Sequence, residues 1–173
     1  MTITAADLTT ALQVLDSKVA ESSLPWELAE FVRDGERRLK HANSSRRAII
    51  STRSPVHPIN ASSVESQIRR DRRSRPASQT VIQVSAAGYT AEAIAAVNAR
   101  TVPRVVLLEP GARGVRISAS SQSVETDDLK LARVVAECFA PSSGVTPRSS
   151  QRKPAPSPRS PSSSRGGSGH IAA

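Results

Sequence analysis

Residues 80–109 read TVIQVSAAGYTAEAIAAVNARTVPRVVLLE. Two short apolar runs, 81–84 and 105–108, flank an amphipathic segment over 90–99. Runs of β-branched residues this short suit buried strands better than helices. Gly88 breaks the chain after the first run. Thr90 is placed to cap a helix, and Glu92 puts a negative charge in its first turn, where the helix dipole favours it. Ala91, Ile94, Ala95 and Asn98 share one helical face, with Ala93, Ala96 and Val97 beside it, and Pro103 stops the helix. The pattern predicts strand–helix–strand with a right-handed parallel crossover. Such a unit is by itself only a packing device and declares no function.

Downstream, Pro110 and Gly111 predict a turn, and Val115, Arg116 and Ile117 alternate like an exposed strand. Asp127 and Asp128 open a helix over 127–139 whose apolar surface comes from Leu131, Val134, Val135, Cys138 and Phe139. From residue 141 the chain is dominated by Ser, Pro, Arg and Gly. Such a segment cannot bury enough apolar surface to offset its ordering entropy, so a disordered basic tail is expected over 141–173.

Upstream, residues 4–21 read as a helix with Thr4 as N-cap and Asp7 completing a capping box. Leu8, Leu12, Leu15 and Val19 form a narrow apolar stripe. It can dock on the domain or pair with a second copy to make a homo-oligomer, and docking is favoured. A second helix is expected from Pro25, with Leu28, Phe31, Val32 and Leu39 on one side and Trp26 anchoring it. Between Arg33 and Arg75 there are twelve Lys or Arg and four Asp or Glu. Ala48, Ile49 and Ile50 are a candidate strand. Ser62 or Ser63 is placed to cap a helix through Val64, Gln67 and Ile68. Arg69, Arg70, Arg72, Arg73 and Arg75 crowd the end of that helix, which the dipole favours and which makes a basic patch.

The 173 residues carry a net charge of +9, a balance that suits polyanions, most simply nucleic acid. The one cysteine, Cys138, excludes an internal disulfide and is read as a small core residue. No apolar run approaches membrane-spanning length and no signal-peptide pattern opens the chain, so a cytoplasmic protein with no membrane partner is expected. His41, His57 and His170 have no metal-ligand spacing with Cys138 or with each other, and are read as loop or surface residues. There is no Walker motif, and no nucleophile elbow surrounds Ser85.

The run Val84, Ser85, Ala86, Ala87, Gly88, Tyr89, Thr90, followed by Glu92, Ala93 and Ile94, resembles a segment of the restriction-endonuclease-like Mrr family, within the PD-(D/E)XK nuclease superfamily. Upstream, Ile49, Ile50, Ser51, Thr52 and Arg53, then Pro58, Ile59 and Asn60, then Val64 and Glu65, are similar to the family's Glu-x-Lys strand, its loop and its next helix. Glu27 and Phe31 fall in a region resembling its first helix. The resemblance spans residues 24–117. It implies an α/β fold, a small restriction-endonuclease-like sheet with a parallel βαβ unit in a domain over 24–140. With the pattern and composition readings, the expected order is an N-terminal helix over 1–23, more helix at the start of that domain, and the disordered tail over 141–173.

The resemblance also implies a metal-dependent DNA endonuclease, in which an Asp and a Glu on adjacent strands hold Mg²⁺ and a Lys orients water. Here the position matching Glu is Ser51, which is neutral. The position matching Lys is Arg53, a poor proton acceptor whose fixed charge opposes Mg²⁺. The Asp-bearing strand is expected to be missing, because at roughly 3.3 Å per residue a hairpin barely fits between Val32 and Ile49. Asp34 is the weak candidate for a displaced ligand. The expectation is therefore a DNA-interacting protein whose nuclease activity is lost. No metal site or cofactor is expected, with Mg²⁺ required only if activity survives. Arg53, Arg69, Arg70, Arg72 and Arg73 would make nonspecific, salt-sensitive DNA contacts. The alternatives are an active Mg²⁺-dependent DNA endonuclease and a shortened, non-functional remnant.

Overall fold

The computed structural model describes residues 2–33, 35–73 and 79–139. Asp34 and the tail expected to be disordered lie outside the described residues. Within them the order is α1 (Ala5–Glu21), β1 (Trp26–Arg33), β2 (Glu36–His41), β3 (Arg47–Arg53), α2 (Ala61–Arg73), β4 (Gln79–Ser85), α3 (Ala91–Asn98), β5 (Arg104–Gly111), β6 (Gly114–Ser120) and α4 (Thr126–Cys138). The strands form one sheet in sequential order, β1 to β6. β3, β4 and β5 are mutually parallel, while β1–β2, β2–β3 and β5–β6 pair antiparallel. The fold is α/β, with the parallel strand–helix–strand unit that residues 80–109 predict.

Helices cover both faces of the sheet. Alternate strand residues Ala48, Ile50, Ile82, Val84, Val106 and Leu108 pack with Leu8, Leu12 and Leu15 of α1 and Leu131 and Val135 of α4. The other set, including Val81, Val105 and Leu107, packs with Val64 and Ile68 of α2 and Ala93 and Val97 of α3. Burying each large apolar side chain of this kind contributes on the order of 1.5–3 kcal/mol. The α1 stripe is thus consumed by the chain's own core. Thr4 caps α1 as the sequence predicts, with Asp7 completing the reciprocal capping box. Thr90 caps α3, accepting from Ala93 N–H at 3.3 Å. The buried side of α3 is Ala93 and Val97, while Ala91 and Asn98 are exposed.

The second N-terminal helix does not exist. Its residues form the hairpin β1–β2, in which Arg33 pairs with Glu36 across a two-residue turn. Gly35 occupies that turn at φ 82°, a conformation that costs glycine little. Register shifts interrupt β1 between Leu28 and Glu30 and again before Arg33. These bulges break the period-two alternation of a regular strand, so the apolar spacing imitates a helix. Trp26 is buried as expected, but on a strand. A strand does fit in the space that looked too short: β2 lies between Val32 and Ile49 beside β3, and it carries no Asp. A second, smaller correction concerns α2, which starts at Ala61. Its cap is Asn60, whose Oδ1 accepts from Ser63 N–H at 2.9 Å.

The amino ends of the parallel strands are closed by a charge network. Asp128, fully buried at the start of α4, accepts from Arg46 Nη2 at 2.6 Å and from Thr80 Oγ1 at 2.9 Å. Arg46 also reaches Glu125 at 2.7 Å and lies over the Trp26 ring. His41 packs edge-on against the same ring, so it is a strand residue in the core margin rather than a loop histidine.

Candidate nucleic-acid interface

At the carboxyl ends of β3 and β4, register sets polar side chains side by side. Glu36 of β2, Ser51 of β3 and Gln83 of β4 form one row, and Arg53 and Ser85 lie beside each other one step further on. Alternation places them on the α2–α3 face, in line with Val81. The Gln83 side chain is 1% exposed, and neither its amide nitrogen nor its oxygen has a hydrogen-bond partner among the described residues. Ser51 Oγ and Ser85 Oγ are likewise buried and unpaired. Leaving a buried polar group unsatisfied costs about 1–3 kcal/mol, so such a concentration is unlike an ordinary core.

Two loops frame this row. Ala86 N–H donates to Arg53 C=O at 2.8 Å, Ile59 N–H to Gly88 C=O at 3.0 Å, and Thr90 N–H to Ile59 C=O at 3.0 Å. Gly88 takes φ 78°, and a Cβ there would lie 3.2 Å from Glu109 Oε2. Glu109 is buried, pairs with Arg116 at 2.9 Å and accepts from Tyr89 N–H at 3.4 Å. Tyr89 O–H donates to Gln83 C=O at 3.0 Å. Burial pushes the Tyr89 phenol far above its ordinary range, Arg53 opposes that rise, and Glu109 adds to it. Tyr89 is therefore a neutral donor that fixes the α3 entry to β4.

A cleft of about 290 Å³ opens between the end of β3 and α2. Arg53, Ile59, Ser62, Ser63, Ser66, Gln67 and Arg70 line it, with Pro55 at its rim. Positions 62, 63, 66, 67 and 70 are one helical face, so α2 presents hydroxyls and a guanidinium to the strand end. A larger groove of about 410 Å³ lies where β6 meets α4, lined by Arg113, Arg116 and Arg133, but no buried unpaired polar group borders it.

Of the site residues expected from sequence, the structure brings Arg53 and Arg70 to one cleft and sets Ser51 two residues from Arg53 on the same strand face. Arg69 is exposed and turned to Glu65 at 3.4 Å. Glu65 is also engaged by Arg100. Arg72 and Arg73 close α2, and their side chains lie outside the described set. Asp34 lies outside it altogether. Sequence reasoning missed Glu36, Gln83, Tyr89 and Glu109 as members of this neighbourhood. The signal for Glu36 was the Asp34–Gly35 pair, a strong hairpin-turn dipeptide. The signal for Gln83 was an amide inside an otherwise apolar run.

Among the described residues no group of three or more His, Cys, Asp or Glu is arranged to hold a metal ion. No described helix is long and apolar enough to cross a membrane. Cys138 is half-buried with its thiol 3.1 Å from Val134 C=O, and burial pushes its pKa up to about 11, so it is a packing thiol rather than a nucleophile. No family model, curated protein or solved structure matches the chain.

Proposed function

We propose that this chain binds nucleic acid through the β3–α2 cleft, on a restriction-endonuclease-like scaffold of Mrr type whose metal-dependent cleavage has been lost. The observation that carries the reading is the row Glu36, Ser51, Gln83. It holds one carboxylate where a Mg²⁺ nuclease needs at least two, while Arg53 and Arg70 line a cleft at the end of β3. Phosphate contacts need cations and hydrogen-bond donors but no carboxylate. Such binding is salt-sensitive and largely indifferent to base sequence.

One observation favours a second reading, an active Mg²⁺-dependent endonuclease: β2 delivers Glu36 directly opposite Ser51. The deciding experiment incubates supercoiled plasmid with purified protein and Mg²⁺ or Mn²⁺, beside a binding assay in EDTA. Retardation of DNA without nicking is the expected result. Metal-dependent nicking that disappears in Glu36→Gln would establish the second reading instead.

A further inference from the structure

Resting on the nucleic-acid reading, we infer that the β3–α2 cleft is a metal-independent site for a single phosphate group. Arg53 forms one wall from the end of the strand and Arg70 the other from the helix. Ser62, Ser63 and Ser66 are exposed along the same helical face, so three hydroxyl-bearing residues line the cleft together with the two cations. A tetrahedral oxyanion has the acceptors to use all of them at once, and a guanidinium meets it through two parallel N–H bonds. Arg70 is exposed and forms no ion pair among the described residues. Glu65, the described acidic residue of α2, is engaged by Arg100 and Arg69 and does not line the cleft.

The strand face next to the cleft is polar as well. Ser51, Gln83 and Ser85 carry buried, unpaired hydrogen-bonding groups on the strand face that Arg53 shares. All three are neutral and add no charge that would repel an anion, while Glu36 of the same row pairs with Arg38 at 3.8 Å and does not line the cleft. In place of a cation that bridges protein and phosphate, the chain supplies fixed positive charge and takes the phosphate directly.

Inorganic phosphate and the phosphodiester of nucleic acid share this chemistry, and the experiment separates them. Full-length ¹⁵N-labelled protein is titrated in EDTA with inorganic phosphate, with chloride at matched ionic strength as reference. In parallel, binding of a fluorescent DNA duplex is followed by anisotropy. The expected result is phosphate-specific shifts at the amides of Ser62, Ser63 and Ser66, and at Arg53. Inorganic phosphate also displaces the duplex. Arg70→Ala weakens phosphate binding roughly tenfold, the loss of one charge-assisted contact. Ser66→Glu, which places a negative charge in the cleft from an exposed position, abolishes it with the folded spectrum retained. Phosphate shifts scattered over the surface, or phosphate binding that needs Mg²⁺, would overturn the site. Duplex binding untouched by Arg70→Ala and Ser66→Glu would also overturn it while leaving the nucleic-acid reading in place. Localised phosphate shifts without duplex binding would keep the site and remove the nucleic-acid reading.

Discussion

Glu36 faces Ser51 directly across the antiparallel β2–β3 ladder. A carboxylate and a hydroxyl therefore occupy neighbouring positions where a pair of carboxylates would make a divalent-metal site. Ser51→Asp restores the second acid. In the natural chain, millimolar Mn²⁺ is expected to leave the thermal midpoint unchanged. In Ser51→Asp it is expected to raise the midpoint, by up to about 2.7 kcal/mol of stabilisation when the metal is a hundredfold above its Kd. Adding Glu36→Gln to that variant should remove the gain. A gain that survives Glu36→Gln would show that the two side chains do not share a site.

Asp128 is the buried centre of the network at the other end of the strands, bonded to Arg46 and Thr80. Asp128→Ala leaves Arg46 without its most buried partner. Breaking a buried pair from one side costs about 3–5 kcal/mol. The denaturant midpoint should fall accordingly, with an unchanged m-value. A loss below about 1 kcal/mol would mean that Glu125 alone holds Arg46.

Tyr89 is the one tyrosine of the chain, so tyrosinate absorbance reports on it alone. Its pKa is raised in the folded state by burial. The unfolded chain releases the proton near pH 10, and the folded chain retains it. Stability from this group is therefore full below about pH 10 and is lost as pH rises above it. In an alkaline titration, tyrosinate absorbance should appear together with loss of the far-UV circular dichroism. A reversible step near pH 10 with the fold intact would contradict the buried placement of the phenol.

The legible and illegible parts of this chain differ for physical reasons. The unit over 80–109 declares itself because β4 and β5 are buried on both faces, which demands short continuous apolar runs, and because Thr90 caps the helix between them. The hairpin β1–β2 was hidden. It lies at the sheet edge, its bulges displace Leu28 from regular alternation, and β2 offers Leu39 as its one aliphatic side chain. Missing that hairpin concealed Glu36, and with it the strand beside Ser51. Asp128 was hidden in another way: an acid in the first turn reads as a dipole partner, and nothing local says that Arg46 and Thr80 will bury it. Ser51, Arg53 and Arg70 were named from sequence, but the pairing of Ser51 with Gln83 depends on the parallel β3–β4 register, and the shared cleft of Arg53 and Arg70 on how α2 packs at the end of β3.

The most direct test of cation-mediated, metal-free nucleic-acid binding is the salt dependence of duplex affinity in EDTA, measured for the natural chain, Arg69→Ala and Arg70→Ala. Each phosphate neutralised contributes about −0.9 to the slope of log K against log salt concentration. A steep negative slope is expected, made shallower by about 0.9 in Arg70→Ala, with a smaller change in Arg69→Ala because Arg69 already leans on Glu65. A slope identical in all three proteins, or affinity that appears only when Mg²⁺ is added, would contradict it.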